Sequence, residues 1–299
     1  MTLQLKNLSK SFNSFIAVKN LNLNIPTGCM FGLLGGNGAG KTTTFRMILD
    51  LLPKSKGSIT FNNEVLDYTK SDLIGYLPEE RGLHPKLSVK EEIFYLGKLK
   101  NLSKKDIDIQ LNYWLNRFDI KKYKDFKIES LSKGNQQKVQ LIASIIHNPQ
   151  LLILDEPFSG LDPINVKLLK DAILELKNNG TTIIFSSHRM EHVEELCDQI
   201  CIMKNGENIL SGNISDVKSR FSKKNLYIEG PYDFSFLKDY SGVDNIKKYH
   251  DGVHITLLNE EFAKPIFQSV VKLGYLKKFV VEDPTLNEIF IETVGDKYD

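Results

Sequence analysis

The stretch GGNGAGKTT, residues 35 to 43, constrains this chain more than any other feature of its sequence. It matches the pattern G-x-x-x-x-G-K-[ST], and it stands between an apolar run, CMFGLLG, and a helical pattern, KTTTFRMILDLL. Glycines let consecutive backbone N–H groups turn inward around an anion, and a helix N-terminus adds partial positive charge. The stretch therefore predicts a strand, a phosphate-binding loop and a helix, in that order.

Each residue type in this loop has a predicted role toward the phosphates of a nucleotide. Lys41 is expected to reach the β and γ phosphate oxygens, and the Thr42 hydroxyl is expected to coordinate Mg²⁺. A glycine-rich turn that serves only close packing is the alternative, and the predicted strand and helix on either side disfavour it. The residues predicted to bind the nucleotide here are Gly35, Gly36, Asn37, Gly38, Ala39, Gly40, Lys41, Thr42 and Thr43.

A second apolar run, LLILDEP at 151 to 157, supplies two adjacent carboxylates at the end of a predicted buried strand. Asp155 is placed to hold the Mg²⁺ shell, and Glu156 is placed to orient or deprotonate an attacking water. Two such residues can also be solvated loop carboxylates. Their combination with the upstream loop favours the catalytic interpretation.

The order of the predicted elements indicates an α/β fold. TLQLKNL and AVKNLNLNI alternate apolar and polar residues and predict an antiparallel edge sheet. LLILDE and TTIIFSSH are apolar runs separated by a helical pattern, which predicts parallel core strands. Residues 83–148 contain several amphipathic helix patterns and predict a helical subdomain.

The sequence changes character near residue 215, after a predicted hairpin that turns at Asn205 and Gly206. We expect a first domain over 1–215 and a small α+β domain over 216–299, in which strand and helix patterns alternate. The phenylalanines available for the core of this second domain are Phe234, Phe236, Phe262, Phe267, Phe279 and Phe290.

Composition excludes some classes of protein. Lys plus Arg number 39 against 37 Asp plus Glu, a formal charge of +2, which is not the strongly basic balance typical of nucleic-acid binding. No stretch approaches the roughly 18 apolar residues that a spanning helix requires, and we expect a cytoplasmic chain. Cys197 and Cys201 lack companion zinc ligands and are expected to be buried thiols.

The stretch ESLSKGNQQKVQL, 129 to 141, places Ser132 and Gly134 where a helix is predicted to begin, which makes a second anion-binding end. Taken alone, a serine in this position is more often a structural cap. Within this stretch, LSKGN resembles the signature of the ATP-binding subunits of ABC transporters, and three further motifs of that family stand in order along the chain with the phosphate loop and LLILDEP. They are GYLPEE at the Q-loop, SGLD at 159–162 as the D-loop, and SSH ending in His188.

This resemblance covers residues 1 to about 215 and implies an ABC cassette of the P-loop NTPase class, with ATP and Mg²⁺ as cofactors. In that family two cassettes pair head to tail around two nucleotides. The resemblance therefore implies that Ser132 and Gly134 act on the nucleotide of a second cassette, that Asp162 helps to link the two sites, and that His188 contacts the γ phosphate and positions water. Phe12 stands where the family has an aromatic residue that stacks on adenine; an ordinary core residue is its alternative interpretation.

Two motifs depart from the family pattern. Glu79 replaces the usual Gln of the Q-loop, so a carboxylate would face the Mg²⁺ shell and could hold the metal more tightly. Lys133 replaces the first signature glycine and Asn135 the usual Gln, which leaves a backbone donor and adds a charge. YLPEERGLHP, LSKGN and the ending PTLNEIFIETVG are similar to the bacterial subgroup tied to sodium extrusion and to drug or peptide export.

The sequence thus predicts an ATP hydrolase that dimerises, or pairs with a different cassette, and energises export through a separate integral membrane permease. We expect it at the inner face of the membrane through that partner, with no nucleic-acid partner. A soluble ATPase of the same family that acts on ribosomes or DNA is the alternative, although it usually carries two cassettes or long heptad arms. A module that binds ATP without turnover is a third reading, which Glu156 and His188 together disfavour.

Overall fold

The computed structural model describes residues 2–80 and 82–295. The chain divides into two compact units between Ser211 and Gly212, whereas the sequence predicts a boundary near residue 215. Each unit has its own buried apolar cluster. No helix within the described ranges has the length and apolar character needed to cross a lipid bilayer.

The first unit contains two sheets and several helices. In chain order its strands are β1 (Thr2–Phe12), β2 (Phe15–Pro26), β3 (Met30–Gly35), β4 (Lys56–Phe61), β5 (Glu64–Val65), β6 (Ile74–Leu77), β7 (Leu151–Asp155), β8 (Thr182–Ser186), β9 (Gln199–Lys204) and β10 (Glu207–Asn213), which runs across the boundary. Its helices are α1 (Lys41–Ile48), α2 (Val89–Leu99), α3 (Lys104–Arg117), α4 (Lys133–Ile145), α5 (Pro163–Asn178) and α6 (Met190–Leu196).

The core sheet has the order β10-β9-β3-β8-β7-β6, and β9, β3, β8, β7 and β6 pair in parallel. Its central strands are buried along their whole length, as expected when both faces of a parallel sheet are covered. The β9–β10 hairpin turns at Asn205 and Gly206, both with positive φ, as predicted. The carboxyl ends of β3, β6, β7 and β8 therefore lie side by side at one edge.

An antiparallel sheet with the order β2-β1-β4-β5 accompanies the core sheet. The prediction of an antiparallel edge sheet from the first two strands is confirmed, while β4 and β5 were not predicted. The inward side chains of these strands share one apolar cluster with those of the core sheet and with Phe45 and Ile48 of α1. This packing fixes the phosphate loop between the two sheets.

Helix α1 is shorter than its sequence pattern, and the prediction that it continues to Leu52 is wrong. The helix ends at Ile48 because Asp50 takes a left-handed conformation, with φ of 54°. The N–H groups of Leu51 and Leu52 then donate back to the carbonyl of Arg46, at 2.9 and 3.1 Å. This closure satisfies the carbonyls at the helix end before Pro53 is reached.

Three helices, α2, α3 and α4, lie in the region predicted to be a helical subdomain. Ser88 caps α2 in a capping box with Glu91, and Ser103 caps α3 by accepting from the N–H of Asp106. Ser132 caps α4 in the same way, because its Oγ accepts from the N–H of Asn135 at 3.3 Å. All three helices therefore begin at a serine cap, of which the sequence predicted the one at Ser132.

The second unit is an α+β domain around one antiparallel sheet of order β12-β13-β11-β14. Its helix α8 packs Ala263, Ile266 and Val270 against this sheet. The elements are α7 (Ile214–Ser219), β11 (Lys224–Glu229), β12 (Val243–Tyr249), β13 (Gly252–Leu257), α8 (Ala263–Val270), β14 (Lys278–Glu282) and α9 (Leu286–Val294).

The predicted aromatic core of this unit is right only in part. Phe234 and Phe290 are buried, and Phe262 and Phe279 pack against the apolar cluster. Phe236 and Phe267 are exposed, at 39% and 44%. Aliphatic residues of the strands fill the centre of the sheet instead, because alternate strand positions point to the same face.

Candidate nucleotide site

The loop between β3 and α1 adopts a conformation that requires glycine at particular positions. Gly38 and Gly40 have φ of 74° and 102°, and Gly35 has φ of 153°. A Cβ on Gly40 would lie 2.5 Å from the carbonyl oxygen of Ala17, so the backbone of β2 also excludes a side chain there. The loop is therefore a bare backbone surface that leads directly into the N-terminus of α1.

The Lys41 side chain lies across this loop. Its Nζ donates to the carbonyl oxygens of Gly35 and Gly36, at 2.7 and 3.1 Å. Burial lowers the pKa of Lys41, while Asp155, Glu156 and Glu79 act in the opposite direction. The ammonium group is thus held in the loop by carbonyl groups that a phosphate oxygen can replace.

Asp155 and Glu156 lie beside the loop at the carboxyl end of β7. The Ser186 hydroxyl, at the end of the neighbouring strand β8, donates to Asp155 Oδ1 at 2.5 Å. Burial is the main cause that raises the pKa of Asp155. The Glu156 backbone has a positive φ of 49°, and its N–H donates to the carbonyl oxygen of Ser186 at 3.2 Å. Strand pairing therefore fixes both carboxylates relative to the phosphate loop.

Glu156 is 8% exposed. The pKa of its carboxyl group is raised, and one oxygen of that group lacks a hydrogen-bond partner among the described residues. Burial first, and then the charge of Asp155, raise its pKa to about 7. Among the described residues its Oε1 has no hydrogen-bond partner, since His188 Nε2 stands 3.6 Å away. A buried acceptor without a donor suits a position that a bound water would occupy.

Glu79 and His188 line the same cavity as Lys41, Asp155 and Glu156. Glu79 follows β6, which pairs with β7 up to Leu77 and Leu154, so the chain emerges beside Glu156. His188 follows β8, its side chain is half exposed, and burial and Lys41 lower its pKa. These groups and the loop line one cavity of about 250 Å³. Its lining comprises Phe15, Ala17, Gly36, Asn37, Gly38, Ala39, Gly40, Lys41, Thr42, Thr43, Glu79, Asp155, Glu156 and His188.

Two aromatic residues stand at the tip of the β1–β2 hairpin. Phe12 and Phe15 face each other in the strand register, and Phe15 lines the cavity whereas Phe12 does not. Phe12 is 44% exposed, and Lys10 Nζ lies 4.9 Å from its ring centre. The alternative interpretation of Phe12 as an ordinary core residue is therefore wrong. The sequence missed Phe15 as a lining residue, and only strand pairing identifies it.

Ser132, Gly134 and Asp162 lie outside the lining of this cavity. Gly134, in the first turn of α4, lies against Asn165, since an added Cβ would lie 2.8 Å from Asn165 Nδ2 and would require that side chain to shift. The same Nδ2 donates to Asp162 Oδ2 at 2.5 Å, and Asp162 Oδ1 caps α5. Gly134 of the signature and Asp162 of the D-loop thus lie close to each other through Asn165, and neither lines the cavity at the phosphate loop.

The oxygen groups that face the cavity fit Mg²⁺. Thr42, Asp155 and Glu79 offer a hydroxyl and two carboxylates, which are hard oxygen ligands. No group of three or more His, Cys, Asp or Glu residues close enough to hold a metal occurs in residues 2–80 and 82–295. The remaining ligands would come from phosphate oxygens and water, as is usual for Mg²⁺ in nucleotide sites.

A phosphate loop, a strand-end carboxylate pair and a capped helix beside a D-loop define a nucleotide-binding cassette. The family described as ABC transporter matches residues 18–159, and the domain described as ATP-binding protein DrrA1-3-like, C-terminal domain, matches residues 212–294. An uncharacterized ABC transporter ATP-binding protein of Bacillus subtilis, YhaQ, is 49% identical over 99% of this chain and 100% of its own length. The chain belongs to the ABC transporter ATP-binding family, which confirms the predicted family and fold class.

Two further matches are informative. LptB of Escherichia coli, a lipopolysaccharide export system ATP-binding protein, is 30% identical over 76% of this chain and 97% of its own length. The solved structure of cbiO1 from Clostridium perfringens, part of the ABC transporter complex cbiONQ, is 31% identical with a TM-score of 0.66. The match covers 73% of this chain and 90% of the cbiO1 chain.

Proposed function

We propose that this ATP-binding subunit hydrolyses Mg-ATP and thereby energises export through a separate membrane permease. The observation that carries the proposal is the cavity in which the phosphate loop meets Asp155, Glu156 and His188, with one Glu156 oxygen buried and unpartnered. A site that only binds nucleotide has no need of a buried carboxylate with a pKa raised toward neutrality.

In this proposal each residue has one task. Lys41 neutralises charge on the β and γ phosphates, and Gly36 to Thr43 donate backbone N–H groups. Thr42, Asp155 and Glu79 hold Mg²⁺, which supplies charge neutralisation across the phosphates when it is bound. Glu156 accepts a hydrogen bond from the attacking water at its free oxygen, and His188 holds that water against the γ phosphate. Phe12 and Phe15 offer the aromatic surface for adenine.

A second cassette accounts for the residues that lie away from the cavity. Ser132 and Gly134 form an exposed helix N-terminus, and Asp162 stands beside them through Asn165. We propose that this surface closes on the nucleotide of another cassette, which is either a second copy of this chain or a different one.

The permease has a candidate docking groove in the first unit. The groove is lined largely by apolar side chains of β6, α2, α4 and the segments after α1 and before α2, including Leu49, Tyr76, Leu83 and Leu96. Leu51 and Tyr68 at its rim are 60% and 67% exposed. An apolar helix of a membrane partner suits such a surface, and we place the chain at the inner face of the membrane through it. The export role named for LptB supports the proposed direction.

The deciding experiment measures ATP hydrolysis by the purified full chain, alone and together with the membrane protein that co-purifies with it from native membranes. We expect Mg²⁺-dependent phosphate release that the membrane partner changes. ATP binding without release of phosphate under both conditions would contradict the proposal and favour a regulatory module.

Replacing Glu79 by Gln tests the unusual carboxylate in the cavity. A partly screened pair of charges is worth about 1 kcal/mol, so we expect about a fivefold rise in the Mg²⁺ concentration that gives half-maximal hydrolysis. Glu80→Gln is the matched control, since Glu80 is exposed and does not line the cavity. Equal Mg²⁺ dependence in the two variants would remove Glu79 from the proposed metal shell.

Ending the chain at Ser211 tests whether the first unit binds nucleotide without the second. All residues that line the cavity precede this point. We expect the ATP dissociation constant, measured by fluorescence of a labelled nucleotide, to stay within about twofold of that of the full chain. A truncated protein that is folded by circular dichroism and yet fails to bind ATP would show that the nucleotide site depends on residues after Ser211.

A further inference from the structure

The side chain of Gln140 joins α4 to the segment that carries Glu79. Gln140 is 4% exposed, and its Nε2 donates to the carbonyl oxygens of Pro78 and Glu80, each at 3.2 Å. These two residues flank Glu79, whose own side chain is exposed toward the nucleotide cavity. One buried amide therefore holds the backbone on both sides of the residue that replaces the family's usual Gln.

We propose that Gln140 is a positioning residue that sets where the Glu79 carboxylate lies in the nucleotide cavity. This inference rests on the proposed function, in which Glu79 takes part in Mg-ATP hydrolysis. Gln140 itself does not line the cavity, and its hydrogen bonds to the segment 78–80 connect it to Glu79.

The segment 78–80 depends on this amide because little else holds it. Strand β6 ends at Leu77. Within the described ranges, no backbone hydrogen bond ties Pro78, Glu79 or Glu80 to another part of the chain. Among the described residues, the two bonds from Gln140 are thus the polar contacts to the backbone that follows β6.

Stability alone does not account for a glutamine at this position. The Oε1 of Gln140 is buried and has no hydrogen-bond partner among the described residues. Leaving such an acceptor unpaired costs about 1–3 kcal/mol, which an apolar residue of the same shape would avoid. The polar contacts that the described residues give this amide are therefore those of its Nε2 with the carbonyls of Pro78 and Glu80.

The position of Gln140 on α4 links this segment to the signature. Gly134, Gln137 and Gln140 recur at intervals of three residues and so lie on one side of the helix. Gln137 Nε2 donates to the carbonyl oxygen of Pro157, next to Glu156, at 3.0 Å. A shift of α4 would therefore move the backbone beside both Glu79 and Glu156.

The test is a double-mutant cycle in the full chain with Gln140→Met and Glu79→Gln. Met keeps the length of the side chain and removes both polar atoms, so we expect thermal stability equal to that of the wild type or higher. We expect Gln140→Met alone to raise the Mg²⁺ requirement of hydrolysis by up to about fivefold, as Glu79→Gln does. In the Glu79→Gln background the same change should have no further effect, within about twofold.

Lys138→Met is the control. Lys138 is a buried residue of the same helix, and its Nζ donates to the carbonyl oxygen of Phe118 at 3.2 Å instead of the segment 78–80. Its effect, whatever its size, should be additive with that of Glu79→Gln. If Gln140→Met is additive as well, the positioning role is wrong.

A spin label supplies a readout that does not depend on activity. Cys29, Cys197 and Cys201 are buried, and burial raises the pKa of each thiol, so a cysteine placed at the exposed position 80 should react selectively. We expect the mobility of a nitroxide at that position, without nucleotide, to increase with Gln140→Met and to stay unchanged with Lys138→Met. Unchanged mobility in both would overturn the inference.

The role of Gln140 can still be tested if the first variant does not fold or if the wild type does not hydrolyse ATP. If Gln140→Met does not fold, Gln140→Leu removes the same donor with a smaller apolar side chain, and the same cycle and label apply. If the wild type does not hydrolyse ATP, the proposed function fails, but the mobility measurement still decides whether Gln140 fixes the segment 78–80.

Discussion

Replacing Glu156 by Gln is expected to lower the rate of ATP hydrolysis by about 10²- to 10⁴-fold while ATP still binds. The carboxyl group is buried, its pKa is raised to about 7, and its Oε1 has no partner among the described residues. An amide of the same size keeps the packing but removes the base and the negative charge. Phosphate release at saturating Mg-ATP measures the rate, and a fluorescent nucleotide measures binding.

The same variant tests the second cassette. Because ATP stays bound, we expect size-exclusion chromatography with Mg-ATP to show a dimer that disappears without nucleotide. Glu191→Gln, an exposed residue of α6, serves as control and should retain wild-type turnover. If Glu156→Gln hydrolyses ATP at the wild-type rate, Glu156 is not the base. A protein that stays monomeric with Mg-ATP argues against a homodimer and directs the search to a different cassette.

The residues of the phosphate loop could be placed from the sequence because local constraints determine them. Gly38 and Gly40 adopt positive φ and Lys41 begins a helix, so residue type, backbone conformation and chemistry agree within a few positions. Asp155 and Glu156 follow a run of buried apolar residues, which marks a parallel strand and its end. The serine caps of the helices are local signals of the same kind.

Residues that depend on pairing between distant strands could not be placed in this way. Strand β6 has four residues, too few for a periodic pattern, and its pairing with β7 is what brings Glu79 beside Glu156, so only the resemblance to the Q-loop pointed to Glu79. Phe15 enters the cavity through the register of the β1–β2 hairpin, which no local pattern specifies. Gln140 looked like one polar position of an amphipathic helix, since its partners lie about sixty residues earlier in the chain.

Helix α1 illustrates a local pattern that the backbone overrides. Leu49 and Leu52 continue the apolar spacing of Phe45 and Ile48, so periodicity predicts a longer helix. The left-handed conformation of Asp50 ends it instead, and both leucines pack as partly buried residues against the apolar cluster of the first unit. Apolar spacing reports which side chains are buried, but a single residue that accepts positive φ decides where the helix stops.

Replacing Lys41 by Ala is expected to weaken ATP binding and to reduce turnover together, each by about 10²-fold or more. A charge-assisted contact to a phosphate is worth about 1.5–3 kcal/mol, and its loss at a partly buried site lies at the upper end of that range. Titration with a labelled nucleotide and phosphate release give the two quantities. Lys54→Ala, at an exposed position after α1, is the matched control and should change neither.

The nucleotide-free contacts of Lys41 make this prediction specific to the ligand. Its Nζ bridges the carbonyl oxygens of Gly35 and Gly36, so Ala removes two hydrogen bonds of the loop as well as the cation. Lys41→Met removes the same two bonds and the charge but retains the apolar stem, whereas Lys41→Arg retains the charge in a wider group. If charge on the phosphates is the cause, Met should be as defective as Ala, and a folded Arg variant should recover part of the binding. Tight ATP binding and wild-type turnover in the Ala variant would show that this loop does not hold the phosphates.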